Sequence, residues 1–160
     1  MAPLMTIDIR PSPLAGQWYP GDASGLKHSI DTLLAKTDYK PVQGQIVGII
    51  APHAGHVYSG AIAAQAFRHV QGQHFERVVV ISPMHHPYTA PVLSSGHQGY
   101  ATPLGTLPVD HELLGSLRKQ VAIEYVKNDP EHSLEIELPF LQRALTGEFQ
   151  LVPLMLRDQS

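Results

Sequence analysis

The sequence predicts an α/β fold: a mostly parallel, buried sheet flanked by helices and incomplete at its C-terminal end. Three observations carry this. Residues 45–51 (QIVGIIA), 77–82 (RVVVIS) and 149–156 (FQLVPLML) are continuous apolar runs rich in branched side chains, the pattern of strands covered on both faces. Helical spacing separates the first two, giving a strand, loop, helix, strand order whose crossover should be right-handed. With 43% hydrophobic and 16% charged residues among 160, there is apolar material for one core, so residues 1–160 read as a single α/β domain.

Along the chain, residues 9–22 hold Pro11, Pro13, Gly16, Pro20 and Gly21, too many breakers for regular structure, and read as an irregular leader over 1–22 anchored by Trp18 and Tyr19. Asp22 can cap a helix running to about Lys36, with Leu26, Ile30, Leu33 and Leu34 on one face. A loop over 40–44 leads into the first strand, 45–51, which stops at Pro52. Ser59 is the expected cap of a second helix (SGAIAAQAFRHV), and the strand at 77–82 stops at Pro83. Residues 90–95 suit a short edge strand, whereas 99–108 (GYATPLGTLP) is too rich in Gly and Pro and reads as a surface excursion. A helix over 109–119, a short strand over 121–126 and a helix over 131–145, started or kinked at Pro139, complete the reading before the third buried strand.

The bulk properties exclude several function classes. A formal net charge of -3, without a lysine- or arginine-rich run, gives no electrostatic footprint for nucleic acid or an anionic membrane. Residues 1–10 have no signal-peptide core, and no apolar stretch is long enough to span a bilayer. A cytoplasmic protein with a small-molecule or peptide ligand is expected. With no cysteine in the sequence, a metal here must be held by nitrogen and oxygen.

The chain holds 10 histidines. His28, His69, His74, His97 and His111 are scattered in surface-like contexts. The other five fall in three clusters. A-P-H-A-G-H (51–56) follows the first strand and S-P-M-H-H-P (82–87) follows the second. In open α/β sheets ligands bind outside the carboxyl ends of the strands. Two histidine loops placed equivalently on neighbouring strands can meet on one cation, and imidazole suits iron, zinc, copper or nickel. The alternative is that these histidines cap loops through backbone hydrogen bonds. The third cluster, N-D-P-E-H-S-L-E (128–135), reads either as a helix N-terminus with acidic residues at its positive end or as a source of Glu131 and His132 for the same crevice. There they would fix a ligand's tautomer or act as general acid or base.

The motifs A-G-Q-W-Y-P (15–20), A-P-H-A-G-H-V-Y-S-G (51–60), S-P-M-H-H (82–86), T-P-L-G (102–105) and E-H-S-L-E-I-E-L-P-F (131–140) occur in an order and spacing that resembles the Memo family, over about 9–156. Ser82-Pro83 stands where that family usually shows Gly-Pro. The resemblance implies a fold similar to the class III extradiol dioxygenases, which use non-haem ferrous iron. Carried over by position, it implies metal ligation by His53 and His85, with His86 and His132 lining the same cavity; His56 and Tyr58 fall in the same motifs as further cleft-lining candidates. It also implies a third ligand from a distal segment or second chain, without which these residues alone would be catalytically incompetent. The reaction classes that follow are an iron-dependent dioxygenase-type oxidoreductase, a zinc-dependent hydrolase, or a non-enzymatic adaptor with a vestigial cleft that binds peptide or copper. A radical-SAM protein is the partner that the resemblance suggests.

Overall fold

A computed structural model describes residues 8–157 except Asn128; the first seven residues of the leader and the last three residues lie outside the described residues. In chain order the elements are β1 (Ile9–Arg10), α1 (Ala23–Ala35), α2 (His56–Arg68), β2 (Arg77–Pro83), β3 (Val92–Ser95), β4 (Gly99–Thr102), β5 (Gly105–Pro108), α3 (His111–Leu117), β6 (Ile123–Val126), a 3₁₀ turn (Glu135–Glu137), α4 (Leu138–Ala144) and β7 (Gln150–Leu156). Helices flank a four-stranded mixed sheet ordered β2-β7-β3-β6, in which β2 runs parallel to β7, β7 antiparallel to β3, and β3 parallel to β6. β1, β4 and β5 form a smaller sheet.

Local chemistry explains the helices. Asp22 accepts from Gly25 N–H at 2.8 Å and so satisfies one of the free donors that begin α1. Leu26, Ile30 and Leu34 then bury one face of it. Asp110 caps α3 in the same way, through Leu113 N–H at 2.8 Å. Pro139 sits in the first turn of α4, where its missing N–H deprives no helical bond. The core gathers these faces with Phe67, Leu93, Phe140, Leu151 and Val152.

Four expectations are corrected. Residues 45–51 are not a buried strand: the segment joins no ladder among the described residues, and Val47 and Ile50 are 95% and 96% exposed. Without a partner strand for its backbone, an apolar run joins no ladder and is not a strand. β2 accordingly takes β7 as its neighbour and has a free outer edge among the described residues. Helix α2 starts at His56 with Gly55 as its cap, while the Ser59 hydroxyl donates back to Ala54 C=O at 3.0 Å. β3 is an interior strand between β7 and β6 rather than an edge. Residues 99–108 form the β4–β5 hairpin, whose Gly105 takes φ +124°, and Tyr100 of β4 is buried in the core.

Beneath the sheet ends lies a buried ion cluster built on Arg10. Its Nη1 donates to Glu135 Oε2 at 2.6 Å, its Nε to Asp129 Oδ2 at 3.2 Å, and its Nη2 to the carbonyls of Asp129 and Glu131 at 3.2 and 2.8 Å. Glu135 Oε1 accepts from Ser12, Tyr19 and Leu14 N–H. Desolvation opposes the guanidinium charge, but Asp129 and Glu135 outweigh it and hold Arg10 fully protonated. The cluster fastens the leader to residues 129–135.

Glu137 is the opposite case. It is buried, and neither carboxyl oxygen has a hydrogen-bond partner among the described residues. Burial pushes its carboxyl up to about 8 from an ordinary 4.5.

Two outcomes follow for stability. Arg10→Ala leaves Asp129 and Glu135 as buried charges without their cation and should lower unfolding free energy by about 3–5 kcal/mol, read from urea denaturation. For Glu137, the folded chain retains a proton that the unfolded chain has already released. Stability should therefore fall as pH rises from about 4.5 to about 8, the ordinary and folded values of the group, and level off above. Glu137→Gln should remove that slope and gain roughly 2–4 kcal/mol over the parent at high pH, with the two chains converging below pH 5 in thermal melts.

Candidate metal centre

The chain leaves β2 at Pro83, where Met84 N–H donates to Leu156 C=O of β7 at 2.8 Å, and this places His85 just beyond the strand end. Pro52 ends the segment 45–51, and His53 follows it. The 129–135 loop, held from below by Arg10, is tied to the same corner by Ser133 Oγ, which donates to Pro83 C=O at 2.7 Å. Three separate pieces of chain thus deliver His53, His85 and His132 to one place. Each histidine offers a ring nitrogen, and the three nitrogens lie within 4.8 Å of one another. The rings of His85 and His132 are stacked with centroids 4.7 Å apart, and His53 sits 5.3 Å from His85.

Glu131 organises the cluster. Its Oε1 accepts from His85 Nδ1–H at 2.9 Å and from the N–H groups of His132 and Ser133, both at 2.8 Å, and its Oε2 accepts from His85 N–H at 2.5 Å. A bond from Nδ1 to a carboxylate fixes the tautomer of His85 and leaves Nε2 with its lone pair free. Desolvation acts to raise the Glu131 carboxyl, yet the hydrogen bonds from His85 and Ser133 prevail and hold it at about 2. It is ionised at any physiological pH and fully committed to these donors. Of the two roles open to it from sequence, the geometry supports holding a tautomer rather than exchanging a proton.

The surroundings of the other two imidazoles favour their neutral form. Burial lowers the His53 value, helped by the neighbouring His85, and burial likewise lowers that of His132, against the pull of Glu131. Neutral imidazole is the metal-binding form. A set of three imidazole nitrogen donors, one backed by a carboxylate, fits a borderline divalent ion such as iron, zinc or copper.

A cleft opens over His53 and His132, lined by Trp18, Gly55, Val57 and Tyr58. Tyr58 is at its rim, 87% exposed. Trp18 packs its ring 4.6 Å from that of His132 and was legible in sequence only as an anchor of the leader. His86 is close enough to His132 to depress its protonation. His56 is not in this cleft. It is buried in the first turn of α2, where its Nε2–H donates to Ile136 C=O at 3.1 Å, between the rings of Tyr19 and Phe140. A ring three residues on from His53 turns to the other side once the helix begins at His56.

Sequence reasoning missed Arg10, whose single signal was an arginine in a leader of prolines, and it treated Glu135 as a helix-end charge rather than as the acceptor on which four donors converge.

The family model described as Memo-like protein matches residues 10–160. A MEMO1 family protein of Nitrosopumilus maritimus is 33% identical over 159 residues, covering 95% of this chain and 58% of the relative. One from Ignicoccus hospitalis is 34% identical over 164 residues, with the same coverage of each. Protein MEMO1 of Danio rerio is 33% identical over 147 residues, covering 88% of this chain and 49% of its own length. The chain therefore spans about half to three fifths of the length of these relatives. By the match along nearly its whole length, the chain belongs to the Memo family.

Proposed function

We propose that His53, His85 and His132 form a divalent-metal centre in a dioxygenase-type oxidoreductase of the Memo family, with ferrous iron as the metal. The observation that carries this is the convergence of three ring nitrogens within 4.8 Å at the ends of three chain segments, with the tautomer of one already fixed by Glu131. Iron bound there would supply redox chemistry toward dioxygen. The chain's own residues do the rest. His53 and His85 are donors through nitrogens kept neutral or oriented by their surroundings. Glu131 holds His85 in register. Trp18 and Tyr58 shape a partly apolar mouth suited to a flat aromatic substrate such as a catechol. His132 completes the donor set; where a ligand from the family's additional sequence takes that position, His132 is within reach to pass a proton to or from substrate.

A second reading rests on the donor set itself. Three histidines without a carboxylate ligand are also the set with which zinc activates water for hydrolysis. Here the nearby carboxylate is occupied by hydrogen bonds. A cleft that binds peptide without catalysis is the outcome left if neither metal binds. The protein partner suggested by the resemblance, a radical-SAM enzyme, belongs to this proposal as well.

Metal titration followed by calorimetry tests the centre. His53→Ala, His85→Ala and His132→Ala should each abolish stoichiometric binding with an unchanged circular dichroism spectrum; full occupancy in all three refutes the assignment. Glu131→Gln keeps every ligand but loses the ionised acceptor, and should weaken binding about 10–100-fold.

The reaction is tested on an intact family member loaded anaerobically with ferrous iron. Oxygen uptake that depends on an added catechol, and that disappears in the equivalent of His53→Ala, is the expected result. Zinc retained through purification, with ester hydrolysis and no uptake, selects the hydrolase instead.

A further inference from the structure

The Glu131 carboxylate that orders the metal corner is itself held from two sides. Its side chain is buried, and its Oε1 lies between two imidazoles, 2.9 Å from His85 Nδ1 and 3.3 Å from His132 Nδ1. Those two rings are nearly parallel, 14° apart. With both Nδ1 atoms turned to one carboxylate oxygen, each ring presents its Nε2 away from it. Residues 129–134, which carry Glu131 and His132, join no helix or strand. Their course is therefore set by side-chain contacts.

Two anchors do this. At the base of the stretch, Asp129 Oδ1 accepts from Glu131 N–H at 3.1 Å, and Arg10 grips the Asp129 carboxylate through Nε and Nη2 at 3.2 and 3.3 Å. At its other end Ser133 Oγ donates to Pro83 C=O at 2.7 Å, two residues before His85, while Ser133 N–H donates to Glu131 Oε1 at 2.8 Å. Ser133, 1% exposed, thus binds both the strand exit that carries His85 and the carboxylate that orients it. An unanchored loop would lose its conformational freedom only when metal binds, at a cost to affinity. A loop fixed beforehand avoids that cost, and outer-shell support of this kind changes metal affinity by about 10–100-fold.

We propose that Ser133 and Asp129 are positioning residues of the metal centre: they fix Glu131 against His85 in the metal-free protein, so that the ring nitrogens converge before a cation arrives. Neither residue is a ligand. Ser133 sets the spacing between the 129–134 loop and the end of β2, and Asp129 sets the direction in which Glu131 leaves the loop base. The consequence for affinity rests on the metal reading given above. The physical content, a preset tautomer of His85, belongs to the chain without metal.

The test reads these two levels separately on the 160-residue chain. In long-range proton–nitrogen spectra of the metal-free protein, with the His85 signals assigned from a His85→Gln variant, the parent should show a single Nδ1–H tautomer for His85. Ser133→Ala should show both tautomers, and its affinity for zinc ion, a redox-inert probe read by calorimetry, should fall by about tenfold or more at unchanged stoichiometry. Ser133→Thr keeps the hydroxyl and should stay within about threefold of the parent. Ile30→Val, which loosens the core under α1, should leave tautomer and affinity as they are. Asp129→Asn keeps an acceptor for Glu131 N–H but weakens the grip of Arg10; it should lose about threefold in affinity, and it decides the question if Ser133→Ala does not fold. Three results overturn the proposal: Ser133→Ala, or Asp129→Asn in its place, with tautomer and affinity unchanged; Ser133→Thr as weak as Ser133→Ala; or an equal loss in Ile30→Val. A parent chain that shows the fixed tautomer, and loses it in Ser133→Ala, but takes up no zinc fails the metal reading alone.

Discussion

The arrangement depends on one buried cation. Arg10 lies in a two-residue strand near the start of the described chain, yet its guanidinium reaches the side chains of Asp129 and Glu135 and the backbone carbonyls of Asp129 and Glu131. A charge so desolvated is tolerable only when nearly every donor is matched, and the loop at 129–135 is shaped to match them. That loop has little regular structure of its own before the 3₁₀ turn. Its conformation is imposed by the ions beneath it. Glu131 and His132 therefore stand where they do because the leader is pinned to them, and Glu131 in turn sets His85. The order of dependence runs from Arg10 to the loop, from the loop to Glu131, and from Glu131 to the imidazoles.

This explains which parts of the molecule were readable in sequence. The helices were, because capping and apolar spacing are local: Asp22 with Leu26, Ile30 and Leu34 needs nothing distant. The strands at 77–82 and 149–156 were also legible, since their runs are long and both find partners within the chain. Residues 45–51 carry an equally strong pattern and form no strand. Apolar pattern reports what a segment is suited to bury, whereas a strand also needs a neighbour for its backbone, and that neighbour is not among the described residues. The hairpin at 99–108 failed for the converse reason. Its Gly and Pro content hides a pairing that the turn at Gly105 and the burial of Tyr100 impose.

The site divided along the same line. His53 and His85 could be placed near each other because each follows a proline at the end of an apolar run, and such ends converge in an α/β sheet. His132 could be nominated but not positioned, since its location comes from ionic contacts more than a hundred residues apart in sequence. His56 shared a motif with His53 and was separated from it by the onset of α2, a matter of where the helix starts rather than of composition.

The metal corner and the open crevice are best understood as two ends of the same segments. At the carboxyl ends of 45–51 and β2 the backbone is fixed by proline, by Met84 N–H on Leu156 and by the Glu131 bonds, so the imidazoles converge without help from a ladder between the two segments. Toward the amino ends no such contacts hold them together among the described residues, and a crevice opens between them. A site held at one end in this way keeps its ligand geometry largely independent of the crevice at the other. The crevice bears instead on the surroundings: solvent access and the polarity around Glu137. Those are the properties that separate a bare imidazole cluster from one able to select a substrate and exclude water.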